Sequence, residues 1–61
     1  MQIIVKVDDV TGGYDVHVHN VKEDEKHAQR AIASTPRQAG LRAGELVRDL
    51  IEAEYVKTAN K

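Results

Sequence analysis

The stretch Thr35–Tyr55, TPRQAGLRAGELVRDLIEAEY, decides the fold because it predicts one long amphipathic helix. Thr35 is suited to cap the helix, Pro36 to occupy its first turn, and Gln38 to complete a capping box. At about 100° per residue, the apolar and small residues fall on an arc roughly half the circumference wide. They are Ala39, Gly40, Ala43, Gly44, Leu46, Val47, Leu50, Ile51 and Ala53.

Two glycines lie inside this helical pattern, Gly40 and Gly44. Each costs a helix interior roughly 1 kcal/mol relative to alanine, so two of them four residues apart call for an explanation. We interpret them as part of a surface that another backbone approaches closely, as small residues allow where helices pack tightly. The predicted self-association surface consists of Ala39, Gly40, Ala43, Gly44 and Val47. The alternative is that the glycines fit against the protein's own sheet or first helix.

Residues 2–8 and 14–20 predict two β-strands, because β-branched residues alternate with polar ones in both segments. The apolar residues of the two strands share one face of the resulting hairpin, and that face must be covered. They are Ile3, Val5, Val7, Val16 and Val18.

The turn of this hairpin has two candidate positions. A turn at Gly12 and Gly13 is favoured, because both central residues of a tight hairpin turn can then adopt positive φ. A turn at Thr11 and Gly12 would instead set Asp8 opposite Asp15, and like charges directly opposite each other destabilise a sheet. We therefore expect the first register.

Residues 21–33 predict a short, weak helix. Asn20 can cap it and Glu23 follows three residues later, but the apolar stripe is thin, which leaves a partly irregular connection as the alternative. The predicted fold is therefore α+β: a single domain over residues 1–61 with an N-terminal antiparallel β-hairpin, a short helix and a longer C-terminal helix (ββαα).

The size and composition of the chain favour self-association. A domain of 61 residues without Cys, Phe or Trp has few means of building a core, and small folds usually recruit a disulfide, a metal or a partner subunit. The C-terminal helix would be a rod of roughly 30 Å, whereas a compact globule of this length has a radius of gyration of about 10–11 Å. We expect a homo-oligomer, with a dimer favoured, to complete the fold.

The distribution of charge predicts one candidate binding surface. No acidic residue occurs between Lys26 and Gly44, although the whole chain has nine basic and ten acidic residues and a net charge of −1. This basic window includes the predicted helix start, where free N–H groups favour anions. Its candidate anion- or partner-binding residues are Lys26, Arg30, Thr35, Arg37, Gln38 and Arg42. The alternative is a solvated basic patch that balances acids elsewhere.

Asp15, His17 and His19 alternate along the second strand and therefore project from one face. Two imidazoles at this spacing can bind one zinc ion, which makes the histidines weak metal candidates, but two ligands do not complete a site. We expect them to be solvated or paired with a carboxylate such as Asp8. No metal and no cofactor is predicted.

The sequence contains no arrangement of residues typical of a catalytic site, so a non-enzymatic protein is expected. We predict an interaction or regulatory protein that binds a partner macromolecule, a protein rather than a nucleic acid; its size suits an inhibitor of the kind carried by phages and mobile elements. Nucleic-acid or nucleotide phosphate binding through the basic window is the alternative. Without a long apolar run or a secretion signal, a cytoplasmic location and no membrane partner are expected.

Overall fold

The computed structural model describes residues 1–59 and contains a three-stranded antiparallel sheet followed by one long helix. Strands β1 (Ile3–Val10) and β2 (Gly13–Asn20) form a hairpin, and β3 (Gln29–Ala33) pairs with the other edge of β2. Helix α1 (Pro36–Ala59) follows β3 and packs mainly on β2 and β3. The predicted α+β class, the hairpin and the long C-terminal helix are therefore confirmed.

The hairpin turn lies one residue earlier than the preferred prediction. Val10 pairs with Gly13, so Thr11 and Gly12 form the turn, and the predicted Gly12-Gly13 turn is wrong. Of the two turn residues, only Gly12 has a positive φ, 84°, which glycine adopts without steric cost. The turn thus needs a single glycine in this conformation rather than two.

This register places Asp8 directly opposite Asp15. The repulsion expected between these two carboxylates was the reason to predict the other register. Each carboxylate has a nitrogen donor close to it on the same face of the sheet. The Nε2 atom of His17 lies 2.9 Å from Asp8 Oδ2, and an Arg30 guanidinium nitrogen lies 3.6 Å from Asp15 Oδ2. These neighbours offset the repulsion, and Arg30 comes from β3, a strand that the sequence did not predict.

The short helix predicted over residues 21–33 is wrong. The segment forms a turn, a 3₁₀ turn at Glu25–His27 and then β3. The Asn20 side chain does cap, but it accepts a hydrogen bond of 3.1 Å from the Lys22 N–H within a turn. Pairing with the open edge of β2 satisfies the backbone of residues 29–33, which outweighs the helix propensity of residues such as Gln29, Arg30 and Ala31.

The core lies between the helix and one face of the sheet. Val16 and Val18 are fully buried there, and Val16 packs with Ala33 of β3 and Ala39 of the helix. Because directly opposite residues share a face, the register defines two sets. The helix-side face carries Ile3, Val5, Val7, Asp9, Tyr14, Val16, Val18, Asn20, Gln29, Ala31 and Ala33. The far face carries Ile4, Lys6, Asp8, Asp15, His17, His19, Arg30 and Ile32.

A capping box begins the helix, as predicted. The Gln38 N–H donates a hydrogen bond of 3.1 Å to Thr35 Oγ1, and the Ala39 N–H donates to the Thr35 carbonyl at 2.9 Å. The Gln38 side chain returns to the chain before the helix, where its Oε1 accepts a 3.2 Å hydrogen bond from the Ser34 N–H. The box therefore closes one residue earlier than in the usual arrangement.

Candidate interaction surfaces

The far face of the sheet holds two buried histidines in its central strand. His17 is 7% exposed and His19 is 5% exposed, although the helix covers the opposite face. Lys6 and Arg30 lie directly opposite His17 on the two neighbouring strands. The predicted pairing of a histidine with Asp8 is confirmed for His17, across a diagonal of the sheet.

Hydrogen bonds determine which nitrogen of each imidazole carries the proton. His19 Nδ1 lies 3.0 Å from the carbonyl oxygen of Asn20 and 3.2 Å from that of Glu23, so this nitrogen must donate. His17 Nε2 likewise faces the Asp8 carboxylate, which accepts. The other two nitrogens, His17 Nδ1 and His19 Nε2, are buried and have no hydrogen-bond partner.

The histidine pair does not form a metal site by itself. Within the part of the chain that the structure describes, no group of three or more His, Cys, Asp and Glu residues is placed to hold an ion. His17 and His19 also have protein partners for one ring nitrogen each. Their observable role is to link β2 to β1 and to the turn that follows β2.

This role makes a first prediction, for the variant His19→Phe. Removing the imidazole leaves the carbonyl groups of Asn20 and Glu23 without this donor, so we expect the free energy of unfolding to fall by about 1–2 kcal/mol. Urea unfolding followed by circular dichroism measures the change. His27→Phe is the control, since His27 is exposed. Equal stability of the two variants would contradict the role assigned to His19.

The predicted basic window is not gathered into one surface. Arg30 lies on the far face and forms an ion pair with Asp15. Arg37 and Arg42 lie on the helix, on the opposite side of the sheet. Lys26 is 3.9 Å from Asp24 and Arg42 is 3.4 Å from Glu45. Within residues 1–59, only Arg37 of these four cations has no carboxylate partner within ion-pair distance.

The helix N-terminus also has few free donors for an anion. Pro36 has no N–H, Gln38 donates to Thr35 Oγ1, and Ala39 donates to the Thr35 carbonyl. In the first turn, the N–H of Arg37 is therefore the donor that remains for an anion. Thr35 and Gln38, predicted as anion-binding residues, therefore use their side chains in the capping box.

The predicted self-association surface divides into two parts. Ala39 is buried in the chain's own core, so it is not available to a second molecule, and the partly buried Ala43 packs against the same core. Val47 is half-buried. Gly40 and Gly44 are exposed, and a Cβ atom built on either would meet no atom within 4 Å. The interpretation that they fit against the protein's own sheet is therefore wrong.

Large apolar side chains remain exposed on several elements, a feature that the sequence analysis did not identify. Val5 and Val7 of β1 are 45% and 49% exposed on the helix-side face, because the helix hardly reaches β1. The last turns of the helix expose Tyr55 at 73%. The others are Met1, Val10, Val21, Ile32, Leu41, Ile51 and Val56.

No protein-family model matches the chain, and no significant similarity links it to a curated protein or to a solved structure. Among the described residues, no helix has both the length and the apolar character required to cross a lipid bilayer.

Proposed function

We propose that this chain is a small, non-enzymatic interaction protein that self-associates and acts by binding a partner macromolecule, a protein rather than a nucleic acid. The observation that carries the proposal is the amount of apolar surface left exposed by so small a core. Within residues 1–59 the buried apolar residues are Val16, Val18, Ala33 and Ala39, whereas ten large apolar side chains are exposed.

The surface area and the shape of the chain support this proposal. The accessible surface is 4600 Å², whereas a compact monomer of 6.8 kDa has about 4,000 Å². The radius of gyration is 12.4 Å, against about 10.5 Å for a compact domain of this length. The excess of about 600 Å² approaches the roughly 800 Å² that each partner buries in a standard protein interface.

The charges favour a protein partner over a nucleic acid. Arg30 and Arg42 form ion pairs with carboxylates and lie on opposite sides of the sheet, so the basic window, as far as the structure describes it, does not form one continuous surface along a phosphate backbone. Exposed apolar and aromatic side chains such as Ile51 and Tyr55 are instead typical of the centres of protein interfaces.

Sedimentation and binding measurements test this proposal, and they form a second prediction. We expect the mass to rise above 6.8 kDa as concentration increases, and added salt to weaken this association only slightly, because exposed ion pairs contribute little beside apolar and backbone contacts. We also expect oligonucleotides to show no salt-dependent binding. A chain that stays monomeric at every concentration would contradict the proposed self-association. An affinity for oligonucleotides that falls steeply with salt would favour the nucleic-acid alternative.

For the macromolecular partner, the variant Ile51→Ser/Tyr55→Ser is compared with Glu45→Ser/Glu52→Ser in capture from the native host. All four residues are exposed on the helix. We expect the first variant to lose the captured protein and the second to retain it, because only the first removes apolar contact area. Equal capture by both would contradict an apolar interface on this helix.

A further inference from the structure

Strand β1 has one unpaired edge, and the register identifies the backbone groups that point outward from it. The Val21 N–H donates a 2.9 Å hydrogen bond to the Gln2 carbonyl, so the even-numbered residues of β1 direct their backbone groups toward β2. The odd-numbered residues therefore point their N–H and C=O groups away from the sheet. They are Ile3, Val5, Val7 and Asp9.

This edge is open to another strand. It is eight residues long, contains neither proline nor glycine, and pairs continuously with β2 from Ile3 to Val10 without a bulge. Such an edge is a template for strand addition unless it is covered or its charged side chains, here Lys6, Asp8 and Asp9, oppose the joining strand. The opposite edge of the sheet, β3, has five residues. The helix-side surface beside the β1 edge carries two half-exposed apolar residues, Val5 and Val7, followed by the exposed Asp9.

We propose that two copies of the chain join through antiparallel pairing of their β1 strands, with the two-fold axis between Val7 of one copy and Val7 of the other. This inference rests on the self-association proposed above and specifies its interface. The two sheets become one sheet of six strands with both helices on the same face. Val7, Val5 and Asp9 then exchange backbone hydrogen bonds with the second copy.

Charge complementarity selects this register among the neighbouring ones. With Val7 opposite its own copy, Lys6 faces Asp8 of the second molecule on the far face, and the symmetry makes this contact twice. A shift by one step sets Lys6 opposite Lys6 of the second copy in one direction, or Asp8 opposite Asp8 in the other, and both pairs are repulsive. A further step, with Val5 on the axis, sets Lys6 opposite Ile4. Lys6 and Asp8 have contacts within their own chain, so the pairing adds to these contacts.

Single cysteines report the register directly, because the chain has no cysteine of its own. In Val7→Cys the two sulfurs would lie across the axis, where the Cα atoms of a hydrogen-bonded pair are about 5.5 Å apart, within disulfide range. In Val5→Cys the two residues would be four positions apart along the paired strands. After mild oxidation we expect a disulfide-linked dimer for Val7→Cys at least tenfold more abundant than for Val5→Cys. The reverse preference, or equal amounts, would overturn the proposal.

Proline at the same edge supplies the matched test, a third prediction. Val7→Pro removes an N–H that points outward and leaves the pairing with β2 intact. Ile32→Pro is the control, because the register turns the Ile32 N–H outward from β3. Both variants should keep the native circular dichroism spectrum. We expect sedimentation to show roughly a tenfold or greater loss of dimer affinity for Val7→Pro and unchanged affinity for Ile32→Pro.

The result separates the two proposals. A Val7→Pro variant that remains dimeric would overturn the β1 interface while leaving self-association in place. A wild-type chain that is monomeric at every concentration would overturn both. If Val7→Pro unfolds, the comparison of Val7→Cys with Val5→Cys tests the β1 interface instead.

Discussion

Replacement of Gly13 by alanine is expected to unfold most of the protein. A Cβ atom at this position would collide with the carbonyl oxygen of Ala33 and lie 3.3 Å from the Cα atom of Ser34. Both are backbone atoms, next to the capping box that begins the helix, so neither can move aside as a flexible side chain could. We expect a loss of about 3 kcal/mol or more, close to the whole stability of so small a domain.

The control for this variant is Gly12→Ala, one residue earlier in the same hairpin. Gly12 has a φ of 84°, which strains an alanine, but a Cβ atom there would meet nothing within 4 Å. Left-handed backbone at a non-glycine residue costs about 1–2 kcal/mol, so this variant should remain folded. Thermal and urea unfolding by circular dichroism compare the two. A Gly13→Ala variant as stable as Gly12→Ala would show that β2 and β3 can separate at little cost.

The elements that could be predicted from the sequence are those whose defining residues lie close together in the chain. The capping box at Thr35 and Gln38 places the start of the helix, and the alternating β-branched residues place β1 and β2. These patterns need no knowledge of distant contacts, since the residues that satisfy each other are close in the chain.

The two errors in the predicted fold are connected through β3. Segment 21–33 contains good helix formers such as Gln29, Arg30 and Ala31, so its strand preference depends on β2 rather than on its own composition. Without β3, Arg30 was not available to balance Asp15, and the repulsion between Asp15 and Asp8 then argued against the register that the chain adopts. A missing strand thus produced a wrong turn.

The surfaces were predicted less well than the fold, because exposure depends on how elements pack. Ala39 and Gly40 are neighbours on the same predicted arc of the helix, yet Ala39 is buried and Gly40 is exposed. The buried stripe of the helix is narrower than its apolar arc, since the sheet that it covers has only three strands. The helix residues that are buried are those that pack against Val16 and Ala33 of the sheet, and the helix sequence does not contain that information.

The exposed glycines give the second large effect, for the double variant Gly40→Ala/Gly44→Ala. A Cβ atom at either position enters open space, so alanine should add helix propensity without any clash. The gain is about 1 kcal/mol per site, or about 2 kcal/mol together, and at 4–8 °C per kcal/mol the midpoint of thermal unfolding should rise by roughly 10 °C. Ala53→Gly is the matched control, because Ala53 is also exposed on the helix. This variant should lose about the stability that each Gly→Ala substitution adds.

The same variant decides why the chain retains glycine at these positions. If Gly40 and Gly44 contact a partner backbone, two methyl groups must separate the surfaces, and partner capture should fail even as the isolated chain becomes more stable. Dimerisation through β1 should be unaffected, because the proposed contacts there involve Val5, Val7 and Asp9. If the variant is more stable and still captures its partner, Gly40 and Gly44 do not contact the partner. A variant that is no more stable than the wild type would contradict the open helix surface itself.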